Sequence, residues 1–154
     1  LHREEGDVDL HYFEHNGGPA PFSIIDPQGY LGGVLEMMGA LKRGEVLSIM
    51  GDRPFGNLRG TLPVNLLGSP VRVPLSPFKL GSATGAPVAV LFSHKSGPDS
   101  YTLTVEDVMR VPREADGAEE AFRPYAERFA RCLESYVQHH PYQFFNFFNM
   151  WEDA

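Results

Sequence analysis

The chain has 154 residues, 42% hydrophobic and 21% charged, a composition that suits one globular domain with its own core and suggests no disorder along most of its length. A formal charge of -7 and a pI near 5.3 argue against a nucleic-acid partner, because acids outnumber the Lys and Arg that phosphate binding draws on, so any anion site has to be local. Cys132 is the single cysteine, so there is no intrachain disulfide and a reducing compartment fits; no Cys/His spacing suits a structural zinc, and no apolar run nears the roughly 20 residues of a membrane span.

Residues 1–20 fit neither the helical nor the strand period, and Gly17, Gly18 and Pro19 mark a loop. His11 and His15 lie four apart, as two helical metal ligands would, but no third ligand accompanies them, and a surface helix is the expectation. A chain opening on Leu1, inside an ordinary folded segment, is expected to be part of a longer protein. Phe22 to Ile25 reads as a short strand, stopped by Asp26 and Pro27. Those two residues also suit a helix start, with an Asx cap and Pro in the first turn. Apolar residues at Tyr30, Leu31, Val34, Leu35, Met38 and Leu41 then recur at helical spacing. With Lys42 and Arg43 in the last turn and Gly44 placed to cap, they predict a helix over about 28–43.

The stretch from Glu45 to Thr61, EVLSIMGDRPFGNLRGT, gives the clearest candidate site. Val46 to Met50 reads as a strand that breaks at Gly51 into Asp52 and Arg53, followed by a loop with Asn57, Arg59 and Gly60. Ligands of open α/β sheets sit beyond the carboxyl ends of strands, which makes an acid and two arginines at such an end site candidates. The alternative is a solvated loop with one structural Asp–Arg pair.

Further along, Leu62 to Leu67 and Val71 to Val73 are short apolar pieces around Gly68-Ser69-Pro70, read as a bent extended arm. Residues 75–84 predict a short helix led by Ser76-Pro77 and ending before Gly85. Pro87 to Phe92 is a continuous apolar run, the pattern of a strand buried on both faces. His94 to Asp99 reads as a polar turn joining that strand to Tyr101–Val105 as a hairpin. A last helix is predicted from the stripe Phe122, Tyr125, Ala126, Phe129, Ala130, Leu133, Tyr136 and Val137. It begins either at a capping box of Asp116 and Glu119 or at Pro124, and Pro141 ends it. The closing YQFFNFFNMW has two readings: Phe144, Phe145, Phe147 and Phe148 pack under a sheet, or part of the segment lines an acyl pocket or touches a bilayer interface where Trp151 suits. The element order predicts an α/β three-layer sandwich with a mixed central sheet, in a single domain.

The blocks ALKRGEVLSIMGDRPFG, RGTLPVNLLGSPVRVPLSP, LGSATGAPVAVLF and HPYQFFNFFNMW, in this order, resemble the C-terminal half of the bacterial lipid A biosynthesis acyltransferases. That group belongs to the lysophospholipid acyltransferase superfamily, and the likeness covers roughly residues 22–151. It implies transfer of an acyl chain from acyl carrier protein or a coenzyme A thioester to a hydroxyl of a lipid or glycolipid. The thioester is a co-substrate, and neither cofactor nor metal is expected. It also implies a peripheral place on the cytoplasmic face of the bacterial inner membrane. By position, Asp52, Arg53, Gly56, Arg59 and Gly60 fall on the family's acceptor-binding block, and Gly85, Ala86 and Pro87 on its small-residue turn. The family's base is the His of a His-x4-Asp/Glu box, in which the acid fixes the tautomer. His2 and Asp7 have that spacing, though charges fill its interior; the box itself is expected upstream of Leu1. The alternative from another class is a noncatalytic domain binding lipid or acyl carrier protein.

Overall fold

In the computed structural model, the described residues are 22–25, 33–53, 59–113, 118–147 and 149–151, and the chain divides into two units, Leu1–Ile49 and Met50–Ala154. In the first unit, helix α1 spans Val34–Lys42, within the predicted range; residues 28–32 lie outside the described residues. Gly33 at its N-cap and Gly44 just past its end both have positive φ, 68° and 81°. Glycine adopts this conformation without a Cβ clash, which is how the chain enters and leaves the helix. Ala40 is the buried residue of α1, whereas Val34 and Leu35 are exposed, so the apolar stripe read from the sequence is only partly packed.

Two expected strands are absent. Residues 22–25 and 45–50 carry no ladder, and Val46 is 98% exposed. Their β-branched composition is a propensity for a pleated, half-buried surface, and without a paired neighbour it does not make a strand.

The second unit is built from an antiparallel hairpin, a short helix, a longer hairpin and the long helix. Strands β1 (Thr61–Leu66) and β2 (Ser69–Pro74) pair in register from Thr61 opposite Pro74 to Leu66 opposite Ser69. The expected bent arm is thus a two-residue hairpin. Its turn takes Leu67 and Gly68 at φ 54° and 84°, and the Asn65 side chain accepts a bond from the Gly68 N–H. Two consecutive positive φ angles give the twist that flanking strands require. Leu62, Val64, Leu66, Val71 and Val73 line the inner face and are buried.

Helix α2 (Ser76–Thr84) follows as predicted, with Pro in the first turn and Gly85 closing it at φ 80° through a bond from its N–H to the Gly81 carbonyl. Strands β3 (Val88–Gly97) and β4 (Ser100–Met109) form the second hairpin. β3 runs through the residues expected to turn, and the turn itself is Pro98–Asp99. The expectation that this strand is buried on both faces does not hold. Val88, Val90 and Phe92 face inward, while Ala89 and Leu91, opposite Val108 and Val105 of β4, are exposed.

A 3-10 turn at Glu119–Phe122 leads into α3 (Arg123–His139), whose start at Pro124 is the second of the two predicted starts; Asp116 lies outside the described residues. Ala126, Ala130, Leu133 and Val137 are the buried stripe of α3, and they join the inner faces of both hairpins, Phe78, Met109 and Val111 in one core. Small residues at 126 and 130 let the helix approach β1 and β2 closely. Arg128 ties α3 to β4 by donating from Nε and Nη2 to the two carboxylate oxygens of Asp107 at 2.9 and 2.6 Å.

Among the described residues the fold is therefore mixed α/β, with two small antiparallel sheets and three helices.

Candidate functional site

Gly51 brings the candidate loop onto α3. A Cβ built there would stand 3.1 Å from the Phe129 ring, so the loop backbone rests directly on that ring and only glycine fits without displacement. The next two residues are Asp52 and Arg53. Arg53 Nη2 donates to Asp52 Oδ2 at 3.2 Å and Nε lies 3.5 Å from Oδ1, with both side chains part-buried. A guanidinium held along one edge by a carboxylate has its plane fixed, and a fixed plane of donors is what phosphate or a developing oxyanion recognises.

Arg59 and Gly60 sit at the turn that opens β1. Gly60 has φ 71°, its carbonyl accepts the Leu75 N–H at 2.8 Å, and Lys79 Nζ stands 3.7 Å from where a Cβ would project. The structure thus joins Asp52 to Arg53 and sets Arg59 and Gly60 beside α2. Residues 54–58, Gly56 among them, lie outside the described residues, as do His2, Asp7, His11 and His15.

Three further cations border the base of the first hairpin, and no sequence signal marks them because they come from three separate elements. Arg72 Nη1 donates to Thr61 Oγ1 at 3.3 Å. Lys79 pairs with Glu119 at 3.0 Å. Arg123 bonds Glu120 through Nε and Nη2 and the Pro63 carbonyl through Nη1, at 2.5, 2.7 and 3.0 Å. The Arg123 guanidinium holds the Glu120 carboxyl below the usual carboxylate range. Two of these three cations, Lys79 and Arg123, are thus matched by acids.

A cleft of about 250 Å3 opens elsewhere, between β3, β4 and the end of α3, and none of the candidate residues lines it. His94 and His140 stack across it with centroids 4.2 Å apart and planes 16° from parallel, and Glu106 and His139 are among its other polar lining residues. His139 Nδ1 lies 2.7 Å from the Ser135 carbonyl; a carbonyl only accepts, so Nδ1 carries the hydrogen. The sequence put His94 in a turn and the end of the last helix at Pro141, and nothing in the spacing of these histidines announced the stack.

The end of the chain is held along the edge of β3. The Tyr136 hydroxyl donates to the Ser93 carbonyl at 2.9 Å, and the Gln143 side chain brackets Lys95, accepting from its N–H at 2.6 Å and donating to its carbonyl at 3.3 Å. Phe144 packs on the core and Met150 is buried, but Phe145 and Phe147 are exposed, so the closing aromatics do not all pack under a sheet. Phe148 lies outside the described residues.

A family model described as bacterial lipid A biosynthesis acyltransferase matches residues 21–153, and the chain belongs to that family. Comparison with curated proteins finds no match.

Proposed function

We propose that this chain supplies the acceptor-binding part of an acyltransferase that moves an acyl group from a carrier-protein or coenzyme A thioester to a hydroxyl of a lipid or glycolipid. The observation that supports it most is the Asp52–Arg53 pair on the loop seated against Phe129, which the resemblance assigns to the family's acceptor block. In this reading Arg53 or Arg59 grips a phosphate or sugar-phosphate of the acceptor, Asp52 orients Arg53, and Gly56 and Gly60 let backbone approach the ligand. The base that takes the acceptor proton is the His of a His-x4-Asp/Glu box, and His2 and Asp7 are the pair of matching spacing within the chain. The thioester serves as co-substrate without a cofactor. The whole domain would then be a three-layer α/β sandwich with a mixed central sheet, working peripherally at the cytoplasmic face of the inner membrane.

A charge-assisted hydrogen bond contributes about 1.5–3 kcal/mol, so Arg53→Ala or Arg59→Ala is expected to lower kcat/KM for a phosphorylated acceptor about 10- to 100-fold. The measurement is transfer from labelled acyl carrier protein to a lipid extract by the native-length protein, beside the 154-residue chain. Both arginine variants at normal kcat/KM would overturn the assigned roles. Transfer by neither form would favour the noncatalytic binding domain, and transfer by the short chain would put His2 and Asp7 in the role of base and acid.

A further inference from the structure

The closing segment presents four of its aromatics, Tyr142, Phe145, Phe147 and Trp151, outward. Tyr142 is 94% exposed, Phe145 67%, Phe147 91% and Trp151 37%. The segment is also seated on the body at several points. Gln143 and Tyr136 bind the β3 edge, Phe144 packs on the core, Met150 is buried, and the Asn146 amide donates to the Met150 sulfur. Phe145 and Phe147 stack at 6.4 Å, so these two outward rings form one surface. Water-exposed aromatic area of this kind, on a segment otherwise anchored, marks a contact surface.

We infer that Tyr142, Phe145, Phe147 and Trp151 form an interfacial face that docks on the headgroup layer of an anionic bilayer. Three observations choose lipid over a protein partner. The mixture of Phe with Tyr and Trp, apolar rings with a polar tip, is the composition that settles at a membrane–water interface. No acidic side chain occurs from Ser135 to Trp151 and Lys95 lies at the segment's anchoring point, so no carboxylate within this stretch repels anionic headgroups; Glu106 lies back in the cleft with His139 and His140. Finally, the segment's backbone bonds are made locally: the Gln143 N–H donates to the His140 carbonyl, Asn146 to Phe144, and Trp151 to the Asn149 side chain, so these three N–H groups keep their partners when the rings enter the headgroup layer. Among the described residues no helix is long and apolar enough to cross a membrane, so contact through this face is interfacial. The inference deepens the proposed reading, in which the acceptor is a lipid, and names the surface that brings the chain to it.

The test is sedimentation of the chain with vesicles of phosphatidylethanolamine and phosphatidylglycerol, together with the emission of Trp151, its single tryptophan. Binding with a blue shift is expected, and the double variant Phe145→Ser/Phe147→Ser, with unchanged thermal melting, should lower the partition coefficient about tenfold or more. Leu103→Ser, on the exposed apolar face of β4, should leave it unchanged. Equal partition of the double variant and the parent overturns the inference, as does loss carried by Leu103→Ser instead, or a tail that pairs two chains in sedimentation without meeting lipid. Transfer to detergent-dispersed acceptor by the native-length protein separates the two readings. Vesicle binding without any transfer leaves this surface standing and removes the acyltransferase reading, whereas transfer that persists while the tail variants bind vesicles normally removes the surface alone.

Discussion

Gly81 shows how one absent methyl sets the distance between two elements. It lies in α2 where the helix meets β3, and a Cβ there would stand 2.9 Å from Val88 Cγ2 and 3.2 Å from the Ala86 carbonyl oxygen. Alanine would gain about 1 kcal/mol of helix propensity, but overpacking against backbone costs about 1–3 kcal/mol, because the carbonyl cannot rotate away as a side chain can. Gly81→Ala is therefore expected to lower stability by about 1 kcal/mol or more in a urea titration, and a stabilised variant would disprove the close approach. The neighbouring Gly85-Ala86-Pro87 turn was legible in the sequence because a helix stop, a left-handed residue and a proline follow one another there. The part-buried pair Asp52–Arg53 was legible for a similar reason, since adjacent residues need no fold to meet. Lys79 beside Gly60 was not, because that proximity is made by the hairpin between them.

Elements were legible where their signal is local. The stripe of α3 and the Ser76-Pro77 start of α2 depend on residues within a few positions, and both helices fall where predicted. Strands depend on partners. Val46–Met50 has strand composition and no partner, while Thr61–Leu66, broken by Pro63, pairs fully because its turn brings Ser69–Pro74 alongside. This first hairpin carries much of the core: Leu66, Val71 and Val73 are among the most buried side chains of the described residues. Leu66→Ala should cost about 2–5 kcal/mol, the span for a buried Leu whose cavity only partly collapses. A loss below about 1 kcal/mol by chemical denaturation would mean that the hairpin is not seated on α3 as described.

At the scale of the molecule, two half-buried acids couple stability to alkaline pH. Burial pushes the Tyr136 phenol up from its ordinary 10.0, and burial, helped by the carboxylates of Asp107 and Glu106, pushes the Cys132 thiol up from 9.0. Both groups keep their protons in the folded chain after the unfolded chain has shed them, so the unfolded state binds fewer protons and stability falls as pH rises. The contribution is fully present below the unfolded values and is lost above them. Tyr136→Phe, which removes one ionisation along with the bond to Ser93, should therefore melt less steeply with pH than the parent between about pH 9 and 11. Parallel curves would show that the phenol is not desolvated. The same tyrosine stands beside Gln143, whose amide occupies the edge of β3 as a strand residue would, one donor and one acceptor against Lys95. A two-stranded sheet with an apolar outer face is a natural template for intermolecular cross-β growth. A single side-chain amide, placed where the next chain would have to begin its ladder, makes this edge a poor seed for fibrils.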